Sequence, residues 1–210
     1  MKRSLLNNVW YHSLRLSLLG AAKLVYRVRF TGQENIPKRG GVLVVSNHQS
    51  HFDPPLVGVG SSRRMNYVAR QTLFDFGPFG RFLKSVGAIP LDREGTGLSG
   101  IKEALRRLKR GEMVLIFPEG TRSRDGQLGV LRPGFTTLAV RSRAAILPVG
   151  VDGAFDAWPR TRKLPRLGRI RIHYGNPIPA EEIVGRDENE LLAEIERRIR
   201  ECLAKARQRD

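Results

Sequence analysis

The chain has 210 residues, of which 40% are hydrophobic and 27% charged, and its 37 Lys+Arg against 20 Asp+Glu leave a net charge of +17. This length suits one α/β domain with its own core rather than two, and the composition excludes a disordered or fibrous chain. A single cysteine, Cys202, excludes an intramolecular disulfide, and the excess of cations points to an acidic partner: nucleic acid, an anionic leaflet, or an acidic substrate or carrier.

The first segment, residues 5–22, carries Arg15 within it and Lys2, Arg3 and Lys23 at its flanks. It falls short of the ~18–20 uninterrupted apolar residues that span a bilayer, and it shows no small-residue cleavage site. Leu6, Val9, Trp10, Ser13 and Leu14 recur at helical spacing. The spacing predicts an amphipathic helix over residues 1–23 that either lies in the head-group layer or packs on the domain. Leu24 to Phe30 alternates apolar and basic residues and reads as a half-exposed strand. Residues 42–46 read as a buried strand, and Pro54 opens a short helix.

Asn66 to Ala69 is a further strand candidate, Phe79 to Val86 a helix, and Ala88 to Leu91 a short extended piece. Leu98, Ile101, Leu105 and Leu108 mark an amphipathic helix that Gly111 ends. Met113 to Phe117 reads as a buried strand, Phe135 to Arg143 as a helix, and Ala145 to Val149 as a strand. In this last one, Pro148 implies an edge or a strand end. Residues 169–174 alternate again. Asp187 with Glu190 then reads as a capping box for a helix whose Leu191, Ile195, Ile199, Cys202 and Leu203 face the core. Helices interleaved with apolar strands predict an α/β fold, with residues 24–210 as one domain.

Chemistry concentrates beyond two of these strands. Asn47-His48-Gln49-Ser50-His51-Phe52-Asp53 holds two imidazoles, a hydroxyl and a carboxylate in a loop after a buried strand. A His that takes a proton from a hydroxyl, with a carboxylate fixing its tautomer, is the minimum for general-base catalysis near neutral pH. On a regular helix His48 and Asp53 would diverge by about 140°, so the pair needs a turn between strand and helix. Asp53 also suits an N-cap, because Pro54 follows it. His51 is the rival base, and the segment alone does not choose between the two.

Phe117-Pro118-Glu119-Gly120-Thr121-Arg122-Ser123 follows the second strand. Gly120 permits close backbone approach, and Arg122 offers a fork suited to phosphate. Gly87 to Arg93 sets one more Arg at the end of a short strand. The chain has no G-x-S-x-G elbow, P-loop, dinucleotide fingerprint, C-x-x-C or H-E-x-x-H, which disfavours serine hydrolase, nucleotide-binding and zinc chemistry. Its basic residues are scattered among few aromatics without a nucleic-acid motif, which disfavours nucleic acid as the partner.

Taken in order, these pieces resemble the glycerolipid acyltransferase family, best known for its 1-acyl-sn-glycerol-3-phosphate acyltransferases. Its four blocks match Asn47, His48, Ser50 and Asp53; then Gly87 to Arg93; then Phe117 to Ser123 without a gap; then Ile146 to Val149. The resemblance covers roughly residues 24–175, and four blocks in sequence are more specific than any one. It implies a single α/β domain with a mixed central sheet flanked by helices. It also assigns His48 as the base, held by Asp53, for direct attack of an acceptor hydroxyl on a thioester. Arg93 and the segment Glu119, Gly120, Thr121 and Arg122 would hold the acceptor's phosphate. The implied acceptor is lysophosphatidic acid, with glycerol-3-phosphate or a lysophospholipid as the alternative, the implied donor acyl-CoA or acyl-acyl carrier protein, with no metal or bound cofactor. The expected location is peripheral, on the cytoplasmic face of an anionic membrane. The second block departs from the family's more aromatic or β-branched stretch at Ala88-Ile89-Pro90-Leu91.

Overall fold

The computed structural model describes residues 5–92 and 98–208. Seven strands form one sheet in the order β1-β7-β6-β2-β5-β3-β4. They are β1 (Arg29–Thr31), β2 (Val42–Ser46), β3 (Met65–Arg70), β4 (Ile89–Leu91), β5 (Met113–Ile116), β6 (Ala145–Asp152) and β7 (Arg171–Tyr174). Strands β2 to β6 run parallel to one another, while β7 pairs antiparallel with β6 and parallel with β1, so the sheet is mixed.

The helices are α1 (Leu5–Tyr26), α2 (Asp53–Gly60), α3 (Gly77–Ser85), α4 (Leu98–Lys109), α5 (Thr136–Ser142), α6 (Ala154–Ala157) and α7 (Glu188–Arg207). Strand β2 is fully buried and shows why the sheet needs cover on both faces. Val42 and Val44 point into a core shared with Ala22 of α1 and Leu56, Val57 and Val59 of α2. Leu43 and Val45 point the other way, toward Leu108 of α4, Leu138 of α5, and Ile195 and Ile199 of α7. Each such side chain contributes roughly 1.5–3 kcal/mol by leaving water. Asp187 caps α7 as its sequence predicts, its Oδ1 accepting the Asn189 N–H at 2.9 Å and the Glu190 N–H at 3.1 Å.

Three expectations are corrected. Leu24 to Tyr26 is helical, not extended, and only Arg29–Thr31 is strand. The helix runs on because Leu19, Ala22 and Tyr26 pack into the core, and it stops at Arg27, whose φ of 45° turns the chain. Pro148 lies in an inner strand, between β7 and β2. It is tolerated because the β6–β7 ladder ends at the Val149–Tyr174 pair, and Pro148 adds to it only an acceptor, its carbonyl taking the Gly175 N–H at 2.9 Å. Asp53 does not cap α2, which has no side-chain cap bond; its carboxylate turns back toward residues 48–50 instead.

Among the described residues no helix is long and apolar enough to cross a membrane.

Candidate active site

Parallel β2 and β5 are hydrogen-bonded neighbours, with Val45 opposite Ile116. Their C-terminal ends therefore deliver the two chemistry-bearing loops side by side, at the edge where parallel sheets present their sites. Asn47 fixes the β2 loop from below. Its amide donates to the Val151 carbonyl at 2.9 Å and accepts from the Val151 N–H at 2.8 Å, which ties the end of β2 to β6.

The turn over residues 48–53 is built around one carboxylate oxygen. Asp53 Oδ2 accepts from Gln49 N at 2.6 Å, from Ser50 N at 2.7 Å and from the His48 ring at 2.8 Å through Nδ1. Asp53 is fully buried and His48 is 18% exposed in its side chain. With an acceptor-only oxygen facing it, Nδ1 carries the ring proton, which leaves Nε2 with the free lone pair. Phe117 stacks under the imidazole, centroids 4.0 Å apart and planes 18° apart. The ring is thus fixed in tautomer and in plane, as a general base requires.

Glu119 holds this turn from behind. Its Oε1 accepts the His48 N–H at 2.7 Å and its Oε2 the Gly129 N–H at 2.9 Å, and the residue is buried. Burial pushes its carboxyl up from the ordinary range, opposed by those two backbone donors. With both oxygens turned into the protein, Glu119 acts as a strut between the loops rather than as a hand on the acceptor. The Ser123 N–H closes the same joint by donating to the His48 carbonyl at 2.7 Å. Gly120 sits at φ 71°, and a Cβ there would meet the Arg132 side chain at 2.9 Å. Thr121 is exposed at the surface of this turn. Arg93 lies outside the described residues.

Arg122 reaches back to the first loop, where its Nη1 donates to His51 Nε2. His51 in turn packs against Trp158, ring centroids 4.7 Å apart. The Trp158 strip is held by the Ser50 hydroxyl, which donates to the Trp158 carbonyl at 2.7 Å, and by a bridge between Ser50 and Pro159. Burial first, then the charge of Arg160 and, more weakly, of Arg70, lowers the pKa of Arg122, against the opposing pull of Asp53. Sequence reading missed Arg70 and Arg160. The signal available for Arg70 was its position at the end of a strand parallel to β2 and β5.

The Acyltransferase family model matches residues 27–152, which contain every element just described except the Trp158–Arg160 strip. The chain belongs to the acyltransferase family. A Bacillus subtilis protein named 1-acyl-sn-glycerol-3-phosphate acyltransferase is 32% identical over 85% of this chain and 84% of its own length. A Pseudomonas aeruginosa protein of the same name is 34% identical over 76% of this chain and 62% of its own length. The crystal structure of the 1-acyl-sn-glycerophosphate acyltransferase PlsC from Thermotoga maritima superposes with a TM-score of 0.75 at 26% identity, covering 95% of this chain and 84% of that one. This chain is therefore an acyltransferase of mixed-sheet α/β architecture.

Proposed function

We propose that the chain transfers an acyl group from a thioester to the free hydroxyl of 1-acyl-sn-glycerol-3-phosphate, forming phosphatidic acid. The observation that carries this reading is the His48–Asp53 pair set beside a cluster of cations. His48 Nε2 takes the proton of the acceptor hydroxyl, and the resulting oxygen attacks the thioester carbonyl. The tetrahedral intermediate collapses by expelling the thiolate, which is protonated to free thiol as the ester forms. Asp53 stabilises the imidazolium that exists between these steps. Arg122, with the charges of Arg70 and Arg160 acting on it, favours a dianionic phosphate at a short distance from the base. The relatives' printed names supply the acceptor, and the donor is acyl-CoA or acyl-acyl carrier protein. Arg93 belongs to the same head-group site by its place in the second block. The protein works peripherally, on the cytoplasmic face of an anionic membrane, where its +17 charge and acyl-bearing acceptor would hold it.

Thiol release across a panel of acceptors and both donor types is the test. The parent should release thiol with lysophosphatidate and lose it with acceptors lacking the phosphate. His48→Ala should fall to background with the fold intact, while His51→Ala keeps its turnover number. A dead His51 variant beside an active His48 variant would reverse the assignment.

A further inference from the structure

The segment that follows β3 exposes large apolar side chains that no part of the acyl-transfer site uses. Leu73 is 37% exposed, Phe76 67%, Phe79 48% and Phe82 38%. They crowd into a 3-10 turn (Gln71–Phe74), the joint at Phe76 and α3, and Phe79 and Phe82 stack with centroids 6.2 Å apart. A buried element of this composition would hide these rings, and keeping them in water costs free energy roughly in proportion to their area. The exposed cations Arg70, Arg81 and Lys84 flank and interrupt them, with Asp75 the one exposed acid of the stretch.

The patch has a fixed place in the molecule. It begins three residues after Arg70, which ends β3, and β3 runs parallel beside β5, so its first end lies at the same sheet edge as the loop that carries Arg122. Its other end is stitched to the start of α1. Trp10 Nε1 donates to Ser85 Oγ at 3.3 Å and the Asn7 amide to the Ser85 carbonyl at 3.3 Å. Arg64 donates to that same carbonyl at 2.9 Å and to the Asn7 carbonyl at 3.3 Å. Leu6, 81% exposed, and Trp10, 47% exposed, therefore extend the aromatic patch onto a second element.

We propose that the Leu73–Phe82 segment is a lipid-docking element in its own right, which lays the β4 side of the sheet, from the Arg70 end to the start of α1, on an anionic bilayer. Aromatic rings interspersed with Arg and Lys are the composition of an interfacial element, with rings below the head groups and cations among them. The charge of +17 opposes pairing of this patch with a second copy and favours an acidic surface. A lipid acceptor would then reach the site head first past the Arg70 end of the patch, its acyl chain still in lipid. This orientation rests on the acyltransferase reading; the lipid contact itself does not.

The test uses the full chain, Phe76→Ser combined with Phe79→Ser, and vesicles of phosphatidylcholine with phosphatidylglycerol at about 1 M salt, where exposed charges are screened within about 3 Å. Co-sedimentation should fall about tenfold or more, from the area two rings would bury. Thiol release with a short-chain lysophosphatidate dissolved as monomer should stay at the parent's rate, while the rate on vesicle-borne acceptor drops. Parent-like vesicle binding by the variant overturns the docking proposal, as does a change in oligomeric state by light scattering with binding retained. Should the double variant fail to fold, Phe76→Trp in a Trp10→Phe background supplies the readout, compared with that background alone. Its emission must shift to the blue on vesicle addition, and an unshifted emission sinks the idea. An inactive parent on dissolved acceptor would instead strike the acyltransferase reading and leave the vesicle result standing.

Discussion

At the scale of single residues the two histidines of one loop have separate work because their partners differ. His48 faces a buried carboxylate, while His51 faces a guanidinium, and an imidazole that accepts from Arg122 must have Nε2 bare. Burial, then the charges of Arg122 and His48, lower the His51 pKa, with Asp53 opposing. His51 thus stays neutral as pH falls through the ordinary imidazole value of about 6.5 and gains its proton only below it. Once protonated it can no longer accept from Arg122 and repels it. The KM for a phosphate-bearing acceptor should therefore rise on the acid side, and His51→Ala should remove that rise while raising KM at neutral pH. Arg122→Lys keeps the charge and loses the fork, so it should raise KM for the acceptor more than for the thioester donor. Steady-state kinetics varying each substrate against pH decide the matter. Equal effects on both substrates would remove Arg122 from the head-group site.

At the scale of elements, what positions the site is the fit of helices on a sheet with almost no spare room. The α7 backbone passes so close to β6 that a Cβ on Gly150 would lie 2.5 Å from the Cys202 carbonyl carbon and the Leu203 nitrogen. Neither is a flexible side-chain end, so Gly150→Ala should cost about 3 kcal/mol by overpacking, read as a lowered denaturant midpoint with m unchanged. A midpoint equal to the parent's would mean that α7 can slide. Cys202 itself is a packing residue, as its helical spacing predicted; burial pushes its thiol up to about 12, far from a nucleophile.

The sequence shows these elements well where periodicity and burial agree, as in β2, β5, α4 and α7. It misleads where local pattern and tertiary partner disagree. The alternation of Leu24 to Phe30 imitates a strand, yet contacts of Ala22 and Tyr26 with the core continue the helix. That a turn must bring a histidine to Asp53 was legible from spacing, while the choice of His48 over His51 needed the family resemblance. The inward turn of Glu119 was not, since only the adjacency of β2 and β5 brings the His48 N–H within its reach.

For the whole molecule, the question is how one chain can be both well packed and ready to meet lipid, and α1 shows the division. Tyr11 and Ala22 are buried, and Leu19 and Tyr26 pack on the core. Leu5, Leu6, Val9, Trp10, Leu16, Leu18, Leu24 and Val25 stay exposed. One side of the helix therefore packs on the domain, as one of its two readings expects, and the other side is left exposed. Leu14 is only half-buried, so Leu6 and Trp10 are the residues to remove.

Two forces should hold the protein to an anionic vesicle: attraction of its net charge and burial of its apolar patches. Salt at about 1 M screens the first and leaves the second. Leu6→Ala with Trp10→Ala should bind like the parent at low salt and shift toward the supernatant at high salt. The serine pair at Phe76 and Phe79 should do the same. The two patches meet at the Ser85 junction, where Trp10 itself is bonded, so the quadruple variant should lose more binding than either pair alone. The quadruple variant should then leave the vesicles entirely at high salt while retaining His48-dependent thiol release on a dissolved acceptor. If either pair alone releases the protein as completely as the quadruple variant, only one of the two surfaces meets lipid.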